Sequence, residues 1–153
     1  MPATDSAATP PVPHPSAIDD LIDDFSFFDS WEDRYRYLID LGRQKAGVPD
    51  GAQIDANRVE GCMSQVWLTA DVEAGDPPRL VFHADSDAHI VRGLIAVLLT
   101  AYSGRTPDEI LAVDIEDVFR RLDLEDHLSP NRRSGFFAIT GEIRRKAAEQ
   151  RLA

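Results

Sequence analysis

The stretch from Asp87 to Tyr102 limits most strongly what this chain can fold into. It carries Ile90, Val91, Leu94, Ile95, Val97, Leu98 and Leu99 on nearly every side of a helical projection. A helix that is apolar almost all round has no face to give to water, so it predicts a buried spine with the other elements packed around it. Asp85 or Ser86 is expected to cap its start, and Ser103-Gly104 to end it. Its longest apolar run, Leu94 to Leu99, falls far short of the roughly 18 to 20 residues that span a bilayer. Met1 to Ser16 has neither the basic start nor the apolar centre of an export signal, which leaves the cytoplasm as the expected compartment.

The layer that covers this spine is predicted from alternation. Val66, Leu68, Ala70 and Val72 alternate with Trp67, Thr69 and Asp71, the period-two pattern of a half-buried strand over Ser64 to Val72. Arg79 to Ala84 supplies a second strand, and the short Gly75, Pro77, Pro78 connection makes the pair an antiparallel hairpin. A short third strand is expected around Arg58 to Glu60. Two amphipathic helices precede the strands, one through Ile18, Leu21, Ile22 and Phe25, the other from Asp29 or Ser30 through Trp31, Tyr35, Leu38 and Leu41. Thr106-Pro107-Asp108-Glu109 is a capping box with a first-turn proline. A short helix over Asp114 to Leu122, a loop over His127 to Ser134 and a final helix over Gly135 to Leu152 complete the chain. The predicted class is α+β (α/β): a small three-stranded antiparallel sheet packed against helices.

Residues 1 to 16 hold Pro2, Pro10, Pro11, Pro13 and Pro15 among Ala, Thr and Ser, the composition of a disordered tail ahead of one domain over residues 17 to 153. With 16 Lys and Arg against 27 Asp and Glu, the formal charge of -11 repels nucleic-acid phosphates and anionic lipid. Asp19, Asp20, Asp23 and Asp24 read as the solvated face of the first helix, with room for a basic partner.

Cys62 is the only cysteine. Alone it forms no intrachain disulfide and no multi-cysteine zinc or iron-sulfur site, which leaves packing or chemistry on one sulfur. Gly61 before it predicts a tight turn with the thiol near the apex. Arg58, Arg132 and Arg133 are the candidate cations for promoting the thiolate. Asp85, Asp87 and His89 lie two apart, a spacing that does not share a helical face, so they predict no metal site. No phosphate-binding loop, His-Glu-x-x-His, Gly-x-Ser-x-Gly or Cys-x-x-Cys occurs. A Cys-His hydrolase needs His83 or His127 beside Cys62, which sequence alone does not establish. A lone thiol can also accept a sulfur atom as a persulfide and hand it on without a cofactor.

Asn57 to Trp67, above all Gly61-Cys62 and Ser64-Gln65-Val66-Trp67, resembles the signature loop of the SufE family, the sulfur acceptors that partner cysteine desulfurases. The resemblance continues through Asp85-Ser86-Asp87-Ala88, Gly93-Leu94-Ile95-Ala96-Val97, Thr106-Pro107 and His127-Leu128-Ser129-Pro130-Asn131-Arg132. It implies a fold shared with IscU-type iron-sulfur scaffolds, and Cys62 as the persulfide-bearing residue. It further implies that sulfur comes from a SufS-type desulfurase, whose pyridoxal phosphate belongs to that partner, and goes to a SufBCD-type scaffold. The family match places Gly61, Gln65, Asp87 and Arg132 as residues that hold the loop or meet the desulfurase. A related branch serving a different desulfurase and acceptor, and a docking regulator without sulfur transfer, stand as alternatives; monomer and homodimer both stay open.

Overall fold

The computed structural model describes residues 15–152; the expected tail lies outside them apart from Pro15 and Ser16. The elements run α1 (Pro15–Ser26), α2 (Trp31–Lys45), a 3-10 turn (Asp55–Asn57), β1 (Val66–Glu73), β2 (Arg79–Ser86), α3 (His89–Tyr102), α4 (Pro107–Ala112), α5 (Ile115–Arg121) and α6 (Pro130–Leu152). The predicted spine is α3, whose Leu94, Ile95, Val97 and Leu98 are all but sealed from solvent. Each such side chain contributes about 1.5 to 3 kcal/mol by leaving water. Around α3 pack α1, α2, β2 and α6.

The packing of α2 on α3 rests on two glycines. A Cβ at Gly93 would lie 2.5 Å from the Leu38 carbonyl oxygen, and one at Gly42 would lie 2.6 Å from the Gly93 nitrogen. Both obstacles are backbone, so the helices reach their separation only because neither position carries a side chain. Gly42 therefore lies inside α2, which continues to Lys45. Its start follows expectation: Ser30 caps it, accepting a hydrogen bond from the Asp33 amide at 3.2 Å.

The hairpin pairs in the order Val66 with Ser86 through Glu73 with Arg79. On β2 the alternation is clean, with Leu80, Phe82, Ala84 and Ser86 buried. On β1 it fails at both ends, since Trp67 is buried as well and Val72, at the hairpin tip, is exposed.

The sheet among the described residues has two strands, not three. The segment expected as the third makes one bridge, Arg58 opposite Trp67, with the Val59 amide donating to the Val66 carbonyl at 2.9 Å. The chain turns away directly afterwards at Gly61, which leaves no length for a ladder. Single bridges, Gly47 to Ala84 and Leu80 to Arg105, likewise cover the free edge of β2.

Two helix starts differ from expectation. Helix α3 begins at His89 without a side-chain cap, because Asp85 is engaged with Arg92 at 2.9 Å and Ser86 accepts from the Ala88 amide at 3.2 Å. Helix α6 begins at Pro130, so most of the expected loop is helical. Ser129 accepts from the Arg132 amide at 3.3 Å, which makes Pro130 a first-position proline rather than a breaker. The capping box at Thr106 and Glu109 forms as expected.

Candidate functional site

The cysteine segment is a short loop tied down at both feet. At the first, Asn57 donates from its side chain to the Ala52 carbonyl at 2.9 Å, and the Val59 amide donates to Val66. At the second, the Gln65 amide donates to the Asp87 carboxylate at 3.1 Å, and the Asp87 amide donates back to the Gln65 carbonyl at 3.4 Å. Asp87, absent from the cap of α3, thus serves the loop instead. Gln65 takes part through its backbone, with its side chain on the exposed side.

Between the feet, Gly61 adopts φ +91°, a left-handed conformation that an L side chain resists. The turn brings Cys62 against α6, where the thiol approaches the Gly135 carbonyl oxygen at 3.7 Å. A Cβ at Gly135 would stand 3.6 Å from the sulfur, an ordinary contact distance, so the thiol packs directly against this turn of α6.

Beside the thiol opens a cavity of about 370 Å³. Val91 and Leu94 of α3 and Phe136 and Ile139 of α6 form its apolar wall; Ser129, Asn131 and Arg132 form its polar side. Met63, next to the thiol, is 79% exposed and forms part of the rim. Cys62 itself is half-buried. Burial pushes the thiol's pKa up and so favours the neutral thiol.

The three arginines expected to promote the thiolate are disposed differently. Arg132 lines the cavity with Cys62. Arg133 donates to the Glu125 carbonyl, and Arg58 is an exposed residue of the loop's first foot. Neither His83 nor His127 lines the cavity. His83 faces Asp71 across the hairpin at 3.4 Å, and His127 stacks on Trp31 with ring centres 4.2 Å apart. Among the described residues, no histidine lines the cavity beside Cys62 as a base. Among the described residues no group of three or more His, Cys, Asp and Glu side chains could hold a metal ion.

Of the residues expected from sequence, Cys62 and Arg132 line the cavity together, Gly61 makes the turn, and Gln65 and Asp87 hold its second foot; the opposite wall was not expected. Gly135, Phe136, Met63 and Asn131 had no role assigned from sequence. The readable signal was Ser129-Pro130 as cap and first helical residue, which would have put Arg132, Gly135, Phe136 and Ile139 on one helix.

The family model described as SufE, an Fe-S metabolism associated domain, matches residues 19–147. An uncharacterized SufE-like protein of Rhizobium meliloti is 42% identical over 133 residues, covering 86% of this chain and 95% of the relative. One from Rhizobium etli is 44% identical over 134 residues, covering 86% and 90%. The solution structure of a hypothetical protein from Thermus thermophilus superposes with a TM-score of 0.73 at 21% identity, covering 93% of this chain and 99% of the other, which establishes likeness of fold. No helix among the described residues is long and apolar enough to cross a membrane. With a family model spanning most of the chain and relatives matched nearly end to end, the chain belongs to the SufE family of Fe-S metabolism associated proteins.

Proposed function

We propose that Cys62 accepts sulfur from the persulfide of a SufS-type cysteine desulfurase and carries it to a SufBCD-type scaffold for iron-sulfur cluster assembly. The observation that carries this reading is the lone thiol, half-buried at a strained turn beside a cavity of about 370 Å³. In the transfer, the Cys62 thiolate attacks the outer sulfur of the donor persulfide. A sulfur-sulfur bond forms on Cys62 as the donor's own breaks, and the donor leaves as a thiolate that takes up the proton Cys62 gave. Sulfur moves without net oxidation, and the chain needs no cofactor of its own; pyridoxal phosphate belongs to the desulfurase.

Burial favours the neutral thiol in the free protein, so reaction requires that docking shift the turn or bring up a cation. Gly61 permits the turn, the Gln65 backbone and Asp87 hold its second foot, and Arg132 presents positive charge at the cavity to the anionic persulfide. Desulfurase turnover, with cysteine as substrate, separates a carrier from a docking regulator. Wild-type protein is expected to raise turnover strongly and Cys62→Ser to raise it little. Full stimulation by Cys62→Ser would make the chain a regulator that transfers no sulfur.

A further inference from the structure

A second cavity, of about 380 Å³, shares no lining residue with the one beside Cys62. It lies among α1, the end of α3, α4 and the start of α5, with Ile18, Ala101, Ala112, Val113 and Val118 as its apolar wall. Arg105 also lines it, and this arginine is only 6% exposed. Its backbone is pinned to the sheet edge, where the Leu80 amide donates to the Arg105 carbonyl at 2.9 Å and the Gly104 amide donates to the Leu80 carbonyl at 2.7 Å. Its side chain makes no ion pair among the described residues, and its buried Nε has no hydrogen-bond partner. A buried guanidinium nitrogen left without a hydrogen-bond partner is costly, and one lining a cavity marks a place for an anionic acceptor.

None of the carboxylates lining the cavity makes a hydrogen bond or ion pair with Arg105 among the described residues. Asp19 pairs with Arg121 at 3.2 Å, and Asp117 with Arg120 at 3.5 Å. Glu109 accepts from the Thr106 amide at 2.9 Å and faces Arg79 at 3.6 Å; its charge also reaches Arg105 and partly offsets it, but it forms no ion pair with it. Asp114 accepts from the Asp117 amide at 3.1 Å as the cap of α5 and has no cationic partner among the described residues. One wall of the cavity thus holds, at depth, an arginine whose Nε has no hydrogen-bond partner, and Asp114 lines the same cavity without an ion pair among the described residues.

We propose that this cavity binds a free α-amino acid with an apolar side chain, its carboxylate on Arg105, its ammonium at Asp114 and its side chain against Val113 and Val118. A simple carboxylate would leave Asp114 unused and bring a net negative charge among four carboxylates; a zwitterion brings none.

Amide shifts of the full-length, isotope-labelled protein test this, with L-leucine as probe. Its analogues lacking one charge, 4-methylpentanoate and 3-methylbutylamine, serve as controls. L-leucine is expected to give saturable shifts at Gly104, Arg105, Val113 and Val118, with each analogue weaker by about tenfold or more, as loss of a charge-assisted contact implies. Arg105→Met should fold, as its own spectrum will show, and lose the response. Asp114→Asn keeps the helix cap and should weaken L-leucine to the level of 4-methylpentanoate. Absence of saturable shifts, an unchanged response in Arg105→Met, or 4-methylpentanoate binding as tightly as L-leucine would each overturn the proposal.

Discussion

Replacing Gly61 by alanine strains the cysteine turn in a way that two measurements can separate. The residue sits at φ +91°, where an L side chain costs about 1 to 3 kcal/mol. The new Cβ would stand 3.2 Å from the Ala138 Cβ, inside the roughly 3.5 to 4.0 Å of a favourable carbon contact. Ala138 is short and fixed on α6, so it has little room to give. Opening of the loop relieves the strain, because the docked turn alone requires this backbone conformation. Global stability should therefore fall by about 1 to 3 kcal/mol, and alkylation of Cys62 through the open state should accelerate by about 5- to 150-fold, the same free energy read twice. The assays are urea denaturation and iodoacetamide modification under native conditions. Gly51→Ala is the control: its φ is +82° and a Cβ there would meet nothing within 4 Å, so it should lose stability while leaving the alkylation rate unchanged. A stability loss in Gly61→Ala with no acceleration would refute the docked turn.

Gly93→Ala puts a Cβ 2.5 Å from the Leu38 carbonyl oxygen and should lower the urea midpoint by the equivalent of about 1 to 3 kcal/mol or more; an unchanged midpoint would contradict the close α2–α3 approach. Asp87→Ala removes the acceptor of the Gln65 amide and should speed Cys62 alkylation by the equivalent of about 0.5 to 1.5 kcal/mol, whereas Asp87→Asn, which retains an acceptor, should stay near wild type. Burial raises the Cys62 pKa, so the alkylation rate should still be climbing at a pH where an exposed thiol has levelled off. The same shift makes stability fall as pH rises past the range of a free thiol, since the unfolded chain then sheds a proton that the folded chain holds; a stability flat through that range in wild type but not in Cys62→Ser would contradict it.

What was legible in the sequence follows the reach of its interactions. The hairpin, the Thr106 capping box and the spine helix rest on contacts between near neighbours, and their patterns of two, three and four residues were readable. The third strand was not, because the number of ladder bonds after Arg58 depends on where the chain must turn to bring Cys62 to α6. Alternation alone points Trp67 outward, yet the Arg58 bridge lies beside it at the sheet edge and it is buried. Pro130 hides the start of α6 because proline so often breaks a helix, although Ser129 before it supplies the cap. At the site, Gly61 and Cys62 were visible as a turn with a thiol. The contact with Gly135, 73 residues away, exists only through the tertiary fold and had no local signal.

Uptake of sulfur by Cys62 is the step on which the proposed role depends. Intact-mass measurement of the protein after incubation with a SufS-type desulfurase and cysteine tests it directly. The expected result is a gain of one sulfur atom on the wild type, removed by a thiol reductant and absent from Cys62→Ser. No gain on the wild type, or the same gain on Cys62→Ser, would contradict a carrier role for this thiol.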